Sequence, residues 1–196
     1  AEINSYDAII NSHGEPIFEI GNVTPMSIMD VVNNADNSIF YIINNLADET
    51  SAMARATVKS FDVKSRFVHF EFFRLLKDHE GLGKKGELIG LEVNMRPSGG
   101  ISPDMMNFSQ STDVYKIWAD MIAYDSSLRG IGQTAFCAFA GRRDGKNFVM
   151  SDEDIMHKYG ANMKMSGRVA DALSGAMGNQ MYIANFNTKE EMDAFY

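Results

Sequence analysis

Apolar and polar positions alternate with period two at the start of the chain. Across residues 5–10, Tyr6, Ala8 and Ile10 fall on one face and Asp7 and Ile9 on the other. Asn11-Ser12-His13-Gly14 then reads as a turn and 16–20 as the returning strand. SIFYII at 38–43 is aromatic and β-branched, the composition of a short strand. Asp48 or Thr50 can cap a helix running to about Ser60, with Met53, Ala56, Thr57 and Phe61 at helical spacing. Two strong strands follow, at 67–73 and 88–94, the second ended by Pro97-Ser98-Gly99-Gly100. From Thr112 or Asp113 a helix carries Val114, Ile117, Trp118, Met121 and Ile122 along one stripe, with Lys116 and Asp120 facing water. The final third predicts a strand at 134–140, a turn at Asp144-Gly145 with a return over 147–150, and a helix over 152–159 capped by Ser151. Strand-like stretches at 163–169 and 180–186 and a last helix capped by Thr188 complete the chain. Helices mixed with antiparallel hairpins give an α+β class, an antiparallel sheet with packed helices. The weakest seam, 126–133, divides the chain into 1–125 and a small α+β subdomain at 126–196.

Composition narrows the function classes. At roughly 150 residues per domain, 196 residues make one domain, or one with an appendage. Hydrophobic residues at 45% and charged residues at 22% are ordinary globular values. No apolar run approaches the roughly 18 residues of a membrane span. The opening residues lack a basic segment followed by an apolar one, so no secretory leader is expected. Cys137 is the single cysteine and has no disulfide or zinc partner, which fits a reducing, cytoplasmic compartment. With 18 basic against 26 acidic residues the formal charge is −8, and the densest basic spots, Lys84-Lys85 and Arg142-Arg143, are only pairs. Nucleic acid is therefore not an expected partner. The chain opens inside a strand without a starting methionine, as a piece lacking a partner half would, and strands left open by that half would favour homo-oligomers.

The candidate chemistry lies in the two central strands. Gly81-Leu82-Gly83-Lys84-Lys85-Gly86 satisfies G-x-G-x-x-G, but a strand follows it where a dinucleotide fingerprint needs a helix. The four histidines show no metal-ligand spacing, and no nucleophile elbow occurs. Alternation puts Phe67, His69, Glu71 and Phe73 on one face of the first strand and Leu88, Gly90, Glu92 and Asn94 on one face of the second. If the strands close a hairpin, Glu71 and Glu92 lie about opposite each other. Two carboxylates about 5 Å apart at an effective dielectric near 20 repel by roughly 3 kcal/mol. A shared proton, a lysine or arginine, or a divalent cation would offset that. The plainest alternative is an exposed hairpin whose glutamates pair with lysines. For a cation, Glu71, Glu92 and Asn94 are hard oxygen ligands that favour magnesium over zinc. Arg96, two residues on, could hold a phosphate or carboxylate bidentately. His69 could face the site, although packing between Phe67 and Phe73 is the favoured placement. An acid–base hydrolase built on the two glutamates would leave Asn94 and Arg96 without a role.

The run EVNMRPSGG (92–100), preceded by FVHFEFF (67–73), resembles the end of an ATP-grasp domain, with an acidic strand, a loop and then E-x-N-x-R. It is similar to biotin carboxylase and to the large chain of carbamoyl-phosphate synthase. The opening strand, with Glu2 and Asp7, resembles the strand pair after the adenine-binding hinge in that family. The resemblance covers about residues 1–125 and implies the C-terminal half of an ATP-grasp fold plus a small C-terminal subdomain. It implies Glu71, Glu92 and Asn94 as magnesium ligands, with Glu92 bridging two ions and manganese as a substitute. Arg96 is implied as the catalytic contact to the γ-phosphate or an acyl phosphate. The implied reaction is ATP-dependent ligation of a small carboxylate to an amine or thiol. The lysine-bearing subdomain, the phosphate loop and the adenine hinge are not recognisable here. The upstream half is thus an implied partner, and an inactive nucleotide-binding module is the alternative. Loops such as 99–107 would set specificity.

Overall fold

In the computed structural model, which describes residues 1–196 apart from the side chain of Ile28, strands β1 (Glu2–Ile10) and β2 (Pro16–Thr24) form the first hairpin. Then follow α1 (Ile28–Asn33), β3 (Ser38–Ile42), α2 (Asp48–Ser60), β4 (Arg66–Arg74), β5 (Leu88–Asn94), α3 (Ser102–Gln110) and α4 (Val114–Tyr124). The rest comprises β6 (Phe136–Arg142), α5 (Asp152–Tyr159), β7 (Met163–Arg168), α6 (Asp171–Met177), β8 (Gln180–Phe186) and α7 (Lys189–Asp193). All strands join one antiparallel sheet of eight, ordered β5-β4-β1-β2-β3-β6-β8-β7. The class is α+β, as the mixed periodicities predict. Residues 126–196 extend the same sheet.

Helices cover both faces. On one, Met105 and Met106 of α3 and Val114, Ile117 and Met121 of α4 pack on Ile9, Ile20, Ile42, Phe67 and Phe139. Burying one such side chain contributes about 1.5–3 kcal/mol. On the other, Ala54 and Val58 of α2 meet Tyr6, Ala8, Ile10, Phe70 and Phe72. The alternation assigned to β1 is the one observed, Tyr6, Ala8 and Ile10 against Ile9.

Several expectations are corrected. The buried stripe of α2 is Thr50, Ala54 and Val58, leaving Met53 and Phe61 exposed. In α4, Ile122 is 61% exposed and lies off the stripe. The segment 147–150 is not a strand although Asp144-Gly145 turns. Both edges of β6 are already taken, by β3 and β8, so no returning strand has a place to pair. Residues 102–107 of the expected 99–107 loop belong to helix α3. Its polar end is held by the sheet: Ser109 Oγ donates to Ala135 O at 2.6 Å, and the Gln110 amide donates to Asn44 O at 3.3 Å. Cys137 is fully buried, and burial pushes its thiol far above the usual range, which makes it a core residue and not a nucleophile. Among the described residues no helix is long and apolar enough to cross a membrane.

Candidate active site

The β4–β5 hairpin places Glu92 directly across from Glu71 and Asn94 across from His69. A bulge between Glu71 and Phe72 takes up Leu91, so Gly90 pairs with Phe72 and Leu88 with Arg74. This breaks the single face expected for β5. Leu88 is buried with Phe70 and Phe72 on one side of the sheet, while Glu92 and Asn94 share the side of Glu71 and His69. Without the bulge, anchoring Leu88 in the core would turn the carboxylate away from Glu71.

On that same face the row continues inward. Ser5 of β1 pairs with Glu71, and Asp7 with His69. His69 takes the less favoured of its two expected placements and faces the site. Its Nδ1 lies 3.0 Å from Asp7 Oδ1, and its Nε2 lies 3.2 Å from Glu71 Oε1. With both ring nitrogens facing carboxylate oxygens, the ring is an imidazolium donating to each. Burial alone would lower its pKa, but the hydrogen bonds to Asp7 and Glu71, with the charges of both, outweigh it and push the pKa up to about 10. Asp7 is fully buried and its Oδ2 has no partner. The period-two reading had Asp7 and His69 on definite faces but could not see that β1 and β4 are neighbours. Only that adjacency turns two isolated polar residues into a relay 62 residues apart in sequence.

The outer part of the site is open. Glu92 and Arg96 are exposed and Glu71 is partly so. The Arg96 guanidinium donates to Pro97 O at 2.9 Å and has no carboxylate partner among the described residues. Two buried polar atoms beside it are unsatisfied, Asn94 Nδ2 and Ser98 Oγ. Such orphaned groups are rare in folded proteins, and a bound ligand is a common reason for them. The donors fit a hard divalent cation: two opposed carboxylates, an amide and no sulfur. Among the described residues no group of three or more His, Cys, Asp or Glu side chains forms a metal cluster. A cation held here would therefore keep oxygen ligands from elsewhere, as magnesium does with phosphates and water. The Gly81–Gly86 segment is a turn closed by a bridge between His79 and Gly83, and it leads into β5 and not a helix.

No protein-family model matches the sequence, and neither does any curated protein sequence. Solved structures do resemble the fold. Phosphoribosylglycinamide synthetase from Anaerococcus prevotii aligns at 12% identity and TM-score 0.63, over 98% of this chain and 50% of its own. The phosphoribosylaminoimidazole carboxylase ATPase subunit from Aquifex aeolicus aligns at 11% identity and TM-score 0.66, over 99% and 53%. The biotin carboxylase domain of the Hydrogenobacter thermophilus 2-oxoglutarate carboxylase, solved with MgADP and bicarbonate, aligns at 10% and 0.55, over 94% and 41%. The chain spans about half the length of these structures. Its fold is that of the biotin carboxylase-like ATP-grasp enzymes.

Proposed function

We propose that the chain is the C-terminal part of an ATP- and magnesium-dependent carboxylate–amine (or thiol) ligase. The observation that carries this reading is the bulged hairpin, which aligns Glu71 with Glu92 and sets Asn94 beside them on one face of an ATP-grasp sheet. Glu71, Glu92 and Asn94 would hold magnesium, or manganese in its place. The metal would neutralise phosphate charge, which is most of what phosphoryl transfer asks of a protein. Arg96, exposed and free of carboxylates, would bind the γ-phosphate or the acyl phosphate formed when a substrate carboxylate attacks it. His69 neutralises part of the carboxylate charge in the metal-free site and fixes the orientation of Glu71 through one oxygen, leaving the other for the ion. In this reading residues 1–125 carry the metal strands and 126–196 form the C-terminal subdomain. The other partners are ATP, a small carboxylate and an N-terminal half, and the protein works in the cytoplasm.

A second reading is a nucleotide-binding module without catalysis, and it draws on the span, about half of each matched structure. Manganese binding followed by electron paramagnetic resonance, with and without ADP, tests the metal site on this chain. The expected result is saturable uptake strengthened by ADP and weakened about tenfold or more by Glu92→Gln. Folded wild type that takes up no manganese, or Glu92→Gln with wild-type affinity, would overturn the assignment. ATP turnover with added carboxylates then separates ligase from binding module.

A further inference from the structure

The sheet face turned away from Glu71 and Glu92 carries a cavity of about 590 Å³, within the range of small-molecule sites. Its floor is Ile39 of β3, Ala140 and Arg142 of β6 and Tyr182 of β8, set side by side by the register Ile39–Ala140–Tyr182. Phe148 and Met150 form one wall and helix α5 another, through Ile155, Lys158 and Tyr159.

The polar groups of this recess are unevenly satisfied. The Tyr159 and Tyr196 hydroxyls donate to the backbone oxygens of Ala194 and Phe40, at 2.6 and 2.9 Å. The Tyr182 hydroxyl donates to Asp152, and Asp36 faces Lys146 at 3.8 Å. The cations are different. The Arg142 guanidinium carbon sits 4.4 Å from the centre of the Phe148 ring and 5.5 Å from that of Tyr182, and Nη1 donates to Met150 O at 2.7 Å. It is thus held in place by two rings and a carbonyl, with the Tyr182 hydroxyl beside it. Neither Arg142 nor Lys158 joins an ion pair among the described residues, in a chain of net charge −8. A fixed guanidinium at the end of an apolar recess, with a second cation on the wall, is complementary to a carboxylate carried on a flat apolar body.

We propose that this cavity is a second ligand site, separate from the carboxylate hairpin, for a small aromatic carboxylate whose anionic group is held by Arg142 and Lys158.

The probe is 2-naphthoate, with the neutral 2-naphthamide as its counterpart, titrated into protein carrying labelled methionine methyl groups. Met26 and Met150 line the cavity, whereas Met95 lies between Asn94 and Arg96 on the carboxylate hairpin. The expected result is saturable shifts of Met26 and Met150 with Met95 unmoved, and about tenfold weaker binding of the amide. Arg142→Met, which keeps the stem between the rings, should weaken naphthoate binding by about tenfold or more, and Lys158→Gln by a smaller factor. The acid–amide comparison and Lys158→Gln leave Arg142 in place, so they hold even if Arg142→Met does not fold. Equal binding of acid and amide, no shift of Met26 and Met150 up to about 5 mM, or shifts centred on Met95 would each overturn the proposal.

Discussion

Replacing His69 by alanine removes the single side-chain partner of a fully buried carboxylate. Asp7 is 0% exposed, its Oδ2 already lacks a partner, and Oδ1 is held only by the His69 ring at 3.0 Å. Breaking one member of a buried ion pair costs about 3–5 kcal/mol, because the remaining charge is left uncompensated. Asp7→Asn is the milder change: its amide oxygen can still accept from Nδ1, and His69 keeps Glu71, so a loss of about 1–2 kcal/mol is expected. Urea unfolding followed by the fluorescence of Trp118 reads both, since this single tryptophan lies 5.6 Å from Phe67, two residues from His69. With a slope of about 2–3 kcal/mol per molar, the His69→Ala midpoint should fall by roughly 1–2 M. The same relay makes stability depend on pH. The folded pKa of about 10 lies above the unfolded value of roughly 6.5, so the folded state keeps a proton the unfolded chain releases. The stabilisation is complete below about pH 6.5 and is lost as pH rises through about 10, a change on the order of a few kcal/mol. Measured in metal-free buffer, the difference between wild type and His69→Gln should shrink steadily from pH 7 to 9.5. A His69→Ala cost below about 1 kcal/mol, or parallel pH curves for wild type and His69→Gln, would refute this account of the buried pair.

Gly141→Ala should be severely destabilising, because its Cβ would lie 2.0 Å from Met177 O, a backbone atom that cannot yield cheaply; a thermal melt unchanged from wild type would contradict this. Ile117→Ala should cost about 2–5 kcal/mol at a site 2% exposed, and Ile122→Ala, 61% exposed, less than about 0.5 kcal/mol. Equal effects in urea unfolding would mean that α4 presents a different face to the sheet.

Much of this architecture is legible in the sequence, and the failures have particular causes. Alternation locates β1, aromatic and β-branched content locates β3 and β4, and β2, β5, β6, β7 and β8 also fall on stretches that read as strands. Capping chemistry locates α5 and α7: Ser151 with Asp154 and Thr188 with Glu191 form reciprocal capping boxes. Helices α1, α3 and α6 carry no comparable signal. They are short, and α3, SPDMMNFSQ, is rich in residues that favour turns; tertiary bonds from Ser109 and Gln110 hold it. The apolar stripe of α2 is hard to place from the sequence because small buried residues, Thr50 and Ala54, carry it while larger ones face water. At the site, period-two arithmetic aligned Glu71 with Glu92, yet it did so by assuming an unbroken β5. The bulge at Leu91 leaves no mark in a hydrophobicity pattern, and neither does the meeting of Asp7 with His69, which depends on strand order.

The sheet order also has a consequence for how the chain is made. Strands β5, β4, β1, β2 and β3 all come from residues 2–94, whereas β6, β8 and β7 come from 136–186. A single ladder, Ser38–Ile42 against 137–141, joins the two groups. During synthesis the first group can pair while β3 waits for β6 to leave the ribosome, so an uncharged, aromatic SIFYI edge stands open in the interval. Such an edge is a template for pairing with another nascent chain. A chain cut short before residue 136 should accordingly aggregate through β3, and slowing translation between 94 and 136 should lower the soluble yield.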